Sequence, residues 1–98
     1  MRVVGFHRYL NEDNALRVRF EVEHGIVLKF VVQLERRFGK AGVFTPVVRY
    51  DTAHGFAHCD RLHPYEQSSK LIMPTRNYNE ALTFAIEDLT KKWGTYRR

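Results

Sequence analysis

Hydrophobic and polar residues alternate with a period of two through much of the first half of the chain. Between residues 15 and 23, Leu16, Val18, Phe20 and Val22 point one way, and Arg17, Arg19, Glu21 and Glu23 point the other. That is the pattern of a half-buried strand. Residues 26–36 repeat it, with Ile26, Leu28, Phe30, Val32 and Leu34 on the core face and Val27, Lys29, Val31, Gln33 and Glu35 opposite. Residues 2–9 and 43–50 read as two further strands, and Pro46 predicts an edge position or an early bulge in the second. Turn chemistry separates these runs at Asn11–Asn14, at His24-Gly25 and at Phe38–Gly42. Lys70–Met73 forms a short strand that stops at Pro74.

The period then changes. Leu82, Ile86, Leu89, Trp93 and Tyr96 recur at helical spacing and make one apolar stripe. Asn77 is a good N-cap, with Glu80 at the spacing of a capping box. Ala81 and Ala85 permit close approach to a sheet, while Glu87/Lys91 and Asp88/Lys92 are i,i+4 pairs expected on the outer face. Gly94 ends or frays the helix. By the same periodicity Phe20, Phe30, Phe84 and Trp93 are core residues. The expected fold class is α+β: an antiparallel β-meander sheet of about four or five strands packed on one C-terminal helix, as a single domain over residues 1–98. Nothing else in the chain covers the far face of the sheet. Val27 and Val31 on that face predict a homodimer.

Composition sharpens the functional question. The formal charge is +5 at neutral pH, and arginines outnumber lysines. Arginine's planar fork matches phosphate oxygens, so the balance favours nucleic acid or another polyanion as partner. The single cysteine, Cys59, excludes an intrachain disulfide. No apolar run is long enough to span a membrane or to make a signal peptide. Both facts predict a reducing, cytoplasmic setting with no membrane partner.

The candidate chemistry is concentrated between Arg49 and His63. Three of the five histidines, His54, His58 and His63, fall there with Asp51, Asp60, Arg49 and Arg61. In an extended chain His54, Phe56, His58 and Asp60 share one face, and Asp51 joins them only if a turn intervenes near Ala53-His54-Gly55. One reading is acid/base cleavage of RNA. His54 and His58 would be general acid and base, Asp51 or Asp60 would orient an imidazole, and Arg49 or Arg61 would hold the phosphate. Tyr50 or Phe56 would stack a base. A competing reading is a divalent-metal site of His54, His58, Asp60 and His63; no other cofactor is expected. A third makes Cys59 a nucleophile. The cluster can also be plain loop structure.

The run Val47–Asp60, the strand Phe30–Glu35 and the helix Ala81–Leu89 resemble a family of small bacterial and archaeal proteins built on a domain of unknown function. More distantly, Arg49-Tyr50-Asp51, the His54–His63 segment, Leu71–Met73 and the late Trp93 are similar in order to the TumE-like toxins of toxin–antitoxin pairs. The histidines here are spaced more widely than the toxins' Gly-Asp-His-x-His cluster. That resemblance implies a ribonuclease-like toxin neutralised by an antitoxin protein. The leading expectation is an RNA-directed, metal-independent endoribonuclease. The alternatives are a non-catalytic nucleic-acid- or protein-binding module and a metal-binding domain, so whether the chain is an enzyme stays open.

Overall fold

The computed structural model describes residues 1–39, 42–53, 55–62, 69–73 and 77–96, with the side chains of 69–71 excepted. His54 and His63, two of the candidate site residues, lie outside this set. The strands are β1 (Arg2–Tyr9), β2 (Asn14–Glu23), β3 (Ile26–Arg37), β4 (Phe44–Asp51), β5 (His58–Arg61) and β6 (Ser69–Ile72). They lie in sequence order as one antiparallel meander. A helix, α1 (Tyr78–Lys92), follows and runs into a 3₁₀ turn at Trp93–Thr95. The α+β meander closed by a C-terminal helix is the expected fold class. Its additional strand, β5, is made from the His/Asp-rich segment.

The turns explain the register. Asn11 Oδ1 accepts from the Asp13 backbone N–H at 2.8 Å and from Asn14 Nδ2 at 3.0 Å, which folds the chain between β1 and β2. His24 and Gly25 both have positive φ, 51° and 78°, as a two-residue type I′ hairpin requires.

Two bulges alter the faces read from the sequence. β2 and β3 pair Glu21 with Lys29 but Val22 with Val27, leaving Leu28 as the extra residue. Below this bulge the parity of β3 reverses. Val27 is therefore buried in the core, and Ile26 and Leu28 are exposed, contrary to simple alternation. The expected homodimer drew on Val27 as a surface residue, and that part of the argument falls. The second bulge, at Val47, lies beside Pro46: Leu34 pairs with Val48 and Glu35 with Pro46. The bulged Val47 carbonyl accepts from the Leu62 N–H at 2.9 Å, which carries the β4–β5 pairing past Arg61.

The core lies between the sheet and α1, which packs chiefly on β3. Leu16, Val18, Val32 and Leu34 meet Ala81, Ala85 and Leu89, all essentially inaccessible. Each buried leucine contributes about 2 kcal/mol of transfer free energy. Phe84 departs from the expected core, being 54% exposed with its ring edge-on to Tyr50. Asp88 departs in the opposite sense. It is buried rather than outward, although Lys92 still reaches it at 3.8 Å.

Polar side chains fix the helix at both ends. Asn77 Oδ1 accepts from the Asn79 and Glu80 N–H groups at 2.9 and 3.2 Å, the predicted N-cap. Asn79 then bonds the β2–β3 hairpin, accepting from Val27 N at 2.9 Å and donating to Gly25 O at 2.8 Å. At the other end Arg36 donates to the Trp93 and Tyr96 carbonyls at 2.9 and 2.8 Å and to Asn14 Oδ1 at 2.6 Å. Carbonyls at the C-terminal end of the helix are thereby paired with a cation.

Candidate functional site

Residues directly opposed in an antiparallel sheet project to the same face. Two rows therefore cross the face away from α1. One runs Arg19, Val31, Asp51, His58, Ile72, and the other Arg17, Gln33, Arg49, Asp60.

The β4–β5 turn brings the acidic residues together. Gly55 has φ 82° and its N–H reaches the Thr52 carbonyl at 3.1 Å. Asp51 Oδ1 accepts from the Ala53 N–H at 3.0 Å, and Thr52 Oγ1 accepts from Phe30 N at 3.1 Å. The hairpin reverses the chain so that Asp51 pairs with His58, and Asp60 follows on the same face. The intervening turn that the parity argument required is present.

His58 sits between the two carboxylates. Its Nε2 is 2.9 Å from Asp51 Oδ1 and 3.3 Å from Asp60 Oδ2, and the ring is 1% exposed. Its Nδ1 lies 3.2 Å from the Phe56 carbonyl oxygen. The Phe56 ring covers it at 5.3 Å between centroids. Both ring nitrogens thus face oxygen acceptors. A neutral imidazole has one N–H, so Nδ1–H to the carbonyl leaves Nε2 with a lone pair aimed at carboxylates.

The rest of this face is layered in depth. Glu35 accepts from Arg17 Nε at 3.1 Å and from Gln33 Nε2 at 2.7 Å, and Gln33 Oε1 accepts from Arg49 Nε at 2.7 Å. His7 Nε2 approaches Glu35 at 3.6 Å. Glu21 holds Lys29 at 2.9 Å and Arg19 at 3.4 Å. The Lys29 contact, against the opposing effect of burial, keeps the Glu21 carboxyl below its usual range. The Glu35 and Glu21 side chains are 9% and 11% exposed, whereas Arg17, Arg19 and Lys29 are 57%, 55% and 59% exposed. Carboxylates lie beneath and cations above. On the same face is a basin of about 550 Å³ lined by Arg19, Lys29, Gln33, Arg49, Asp51 and Thr52.

The candidate residues divide between the two faces. Asp51, His58, Asp60 and Arg49 are together on the open face. Tyr50 is buried on the helix side, its hydroxyl donating to Asp88 Oδ2 at 2.8 Å. It is turned away from the basin by the pleat and does not serve there as a stacking or substrate-binding residue. Arg61 is also on the helix side, over the Tyr96 ring at 5.1 Å. Tyr96 donates to the same Asp88 oxygen as Tyr50. Burial first, and then these bonds, push the Tyr96 phenol up to about 12 and the Tyr50 phenol further still. Cys59 is buried beside them, and burial raises its thiol to about 11. A thiol in that state is a poor nucleophile near neutrality.

Arg19, Lys29 and Gln33 were not among the sequence candidates. Their alternation along β2 and β3 placed them on the face away from the core, but only the cross-strand register shows that this face is shared with Asp51.

Among the described residues, no helix is long and apolar enough to cross a membrane. No curated protein and no solved structure matches the chain. The family model of a domain of unknown function, DUF7718, matches residues 1–98, and the chain belongs to that family.

Proposed function

We propose that the face of the sheet opposite α1 binds a phosphate-bearing ligand, and that the ligand is single-stranded RNA. The observation that carries this reading is the layering. Arg19, Lys29 and Arg49 border a basin of nucleotide-compatible size, while Glu21 is held underneath by Arg19 and Lys29, and Glu35 by Arg17. An incoming phosphate meets guanidinium and ammonium groups before it meets carboxylates. The Phe56 ring, 38% exposed and packed on His58, offers a surface on which a base can stack.

Binding is favoured over cleavage by the state of His58. A general base must present a nitrogen to the proton it removes. His58 is buried, and its nitrogens are directed at Asp51, Asp60 and the Phe56 carbonyl. The toxin reading requires RNA cleavage that His58→Ala abolishes; the binding reading requires RNA that is retained intact.

The test is fluorescence anisotropy of a short oligouridylate titrated with the protein over a series of salt concentrations. Three cationic side chains on a single strand predict a log–log salt slope of about −2. Affinity independent of salt, or no binding, overturns the proposal.

A further inference from the structure

We infer that Asp51, His58 and Asp60 form a site for a first-row divalent cation, and that this cation strengthens phosphate binding in the adjoining basin. The second half rests on the RNA-binding reading; the first stands on its own geometry. Asp51, His58 and Asp60 each offer one ligand atom, and these atoms lie within 4.8 Å of one another. Ligands of one tetrahedral ion, each about 2.1 Å from it, are roughly 3.4 Å apart. The observed spacings of 2.9 and 3.3 Å from His58 Nε2 need only small adjustments to reach that geometry.

The surroundings match those of a ligating histidine. The Phe56 carbonyl at Nδ1 fixes the tautomer that leaves Nε2 as the donor to a metal. The Phe56 ring and the hairpin hold the imidazole in place. The backbone N–H of Ala53 orients the Asp51 carboxylate. One imidazole and two carboxylates suit Mn²⁺, Fe²⁺ or Zn²⁺ rather than a thiophilic ion.

Charge links the two sites. Four described cations on this face, Arg17, Arg19, Lys29 and Arg49, are met by the four carboxylates Glu21, Glu35, Asp51 and Asp60. A divalent ion on Asp51 and Asp60 offsets both of those carboxylates and leaves this group of side chains net positive. Asp51 lines the basin as well as the cation site, so a phosphate oxygen bound there approaches the ion. Each ligand then raises the affinity of the other by the same factor.

The experiment is calorimetric titration of the EDTA-stripped, full-length protein with Mn²⁺ and with Zn²⁺, followed by the RNA titration with and without the ion. We expect a single equivalent bound, and an affinity at least about tenfold weaker in Asp60→Asn, whose side chain sits at the rim and keeps its shape. His7→Ala and His24→Ala should leave it unchanged. Circular dichroism establishes that each variant is folded, and His58→Gln provides a second test should Asp60→Asn unfold. Absence of binding, or binding that Asp60→Asn and His58→Gln leave intact, overturns the site. Metal binding with RNA affinity unaffected by the ion overturns the linkage. Metal binding with no RNA binding under any condition also overturns the linkage, along with the RNA-binding proposal, and leaves the cation site standing.

Discussion

Asp51 and His58 face each other across the β4–β5 hairpin, the carboxylate oxygen 2.9 Å from Nε2 of a ring that is 1% exposed. Asp60 completes the group from the next position on the same face. Removing the imidazole leaves two carboxylates close together in a poorly solvated site. In metal-free protein His58→Ala, which also empties a fully buried position, should therefore destabilise the fold by about 2–4 kcal/mol, measured by urea denaturation at neutral pH. Adding Asp60→Asn to that variant should recover part of the loss. Equal stability of the single and double variants would contradict the electrostatic account.

Arg36 connects the end of the helix to β2. Its guanidinium bonds the Trp93 and Tyr96 carbonyls and Asn14. Arg36→Ala should cost about 2–4 kcal/mol, because partly buried acceptors lose a charged donor. Hydrogen exchange should show the loss concentrated in the last turn of α1. Uniform acceleration across the sheet would mean that Arg36 does not act through the helix terminus.

The phenols on Asp88 make stability sensitive to alkaline pH. In the folded chain Tyr96 is raised from 10.0 to about 12 and Cys59 from 9.0 to about 11. The unfolded chain releases these protons first. The contribution of both groups is thus complete below about pH 9 and is lost as pH rises through about 11 to 12. The urea midpoint should fall over that window, and Tyr96→Phe should flatten the fall. An unchanged profile in Tyr96→Phe would exclude this origin.

Burial also makes Cys59 unreactive. A disulfide reagent at pH 8 should modify it only under denaturing conditions. Rapid modification of the native protein would contradict its placement on the helix side of β5.

Much of the fold was legible because its periodicities are strong. The alternation of β2, the helical stripe and the Asn77 cap each report a local preference that the tertiary structure keeps. The failures are local as well. Leu28 and Ile26 read as core until the bulge at Leu28 reverses the parity of β3. Asp88 read as a surface charge because nothing local reveals that the Tyr50 phenol, from a distant strand, joins Tyr96 on it. In the candidate site, the density of His and Asp marked the segment in which Asp51, His58 and Asp60 come together. Pairing Asp51 with His58 depended on the reversal at which the Gly55 N–H meets the Thr52 carbonyl, and separating Arg49 from Arg61 depended on the register of β5. Alternation alone could not locate Tyr50 relative to the basin, because which face α1 covers is a property of the whole sheet.

The claim that the open face binds RNA is tested most directly by comparing the two sides of the sheet. Arg19 and Arg49 border the basin, and Arg61 lies over Tyr96 on the opposite side. The salt dependence of oligouridylate binding should be measured for the parent chain, Arg19→Ala/Arg49→Ala and Arg61→Ala. The double variant should bind more weakly, with a slope shallower by about 1.4, while Arg61→Ala should retain the parent slope. A double variant with the parent slope, or an Arg61→Ala variant with the larger loss, would contradict it.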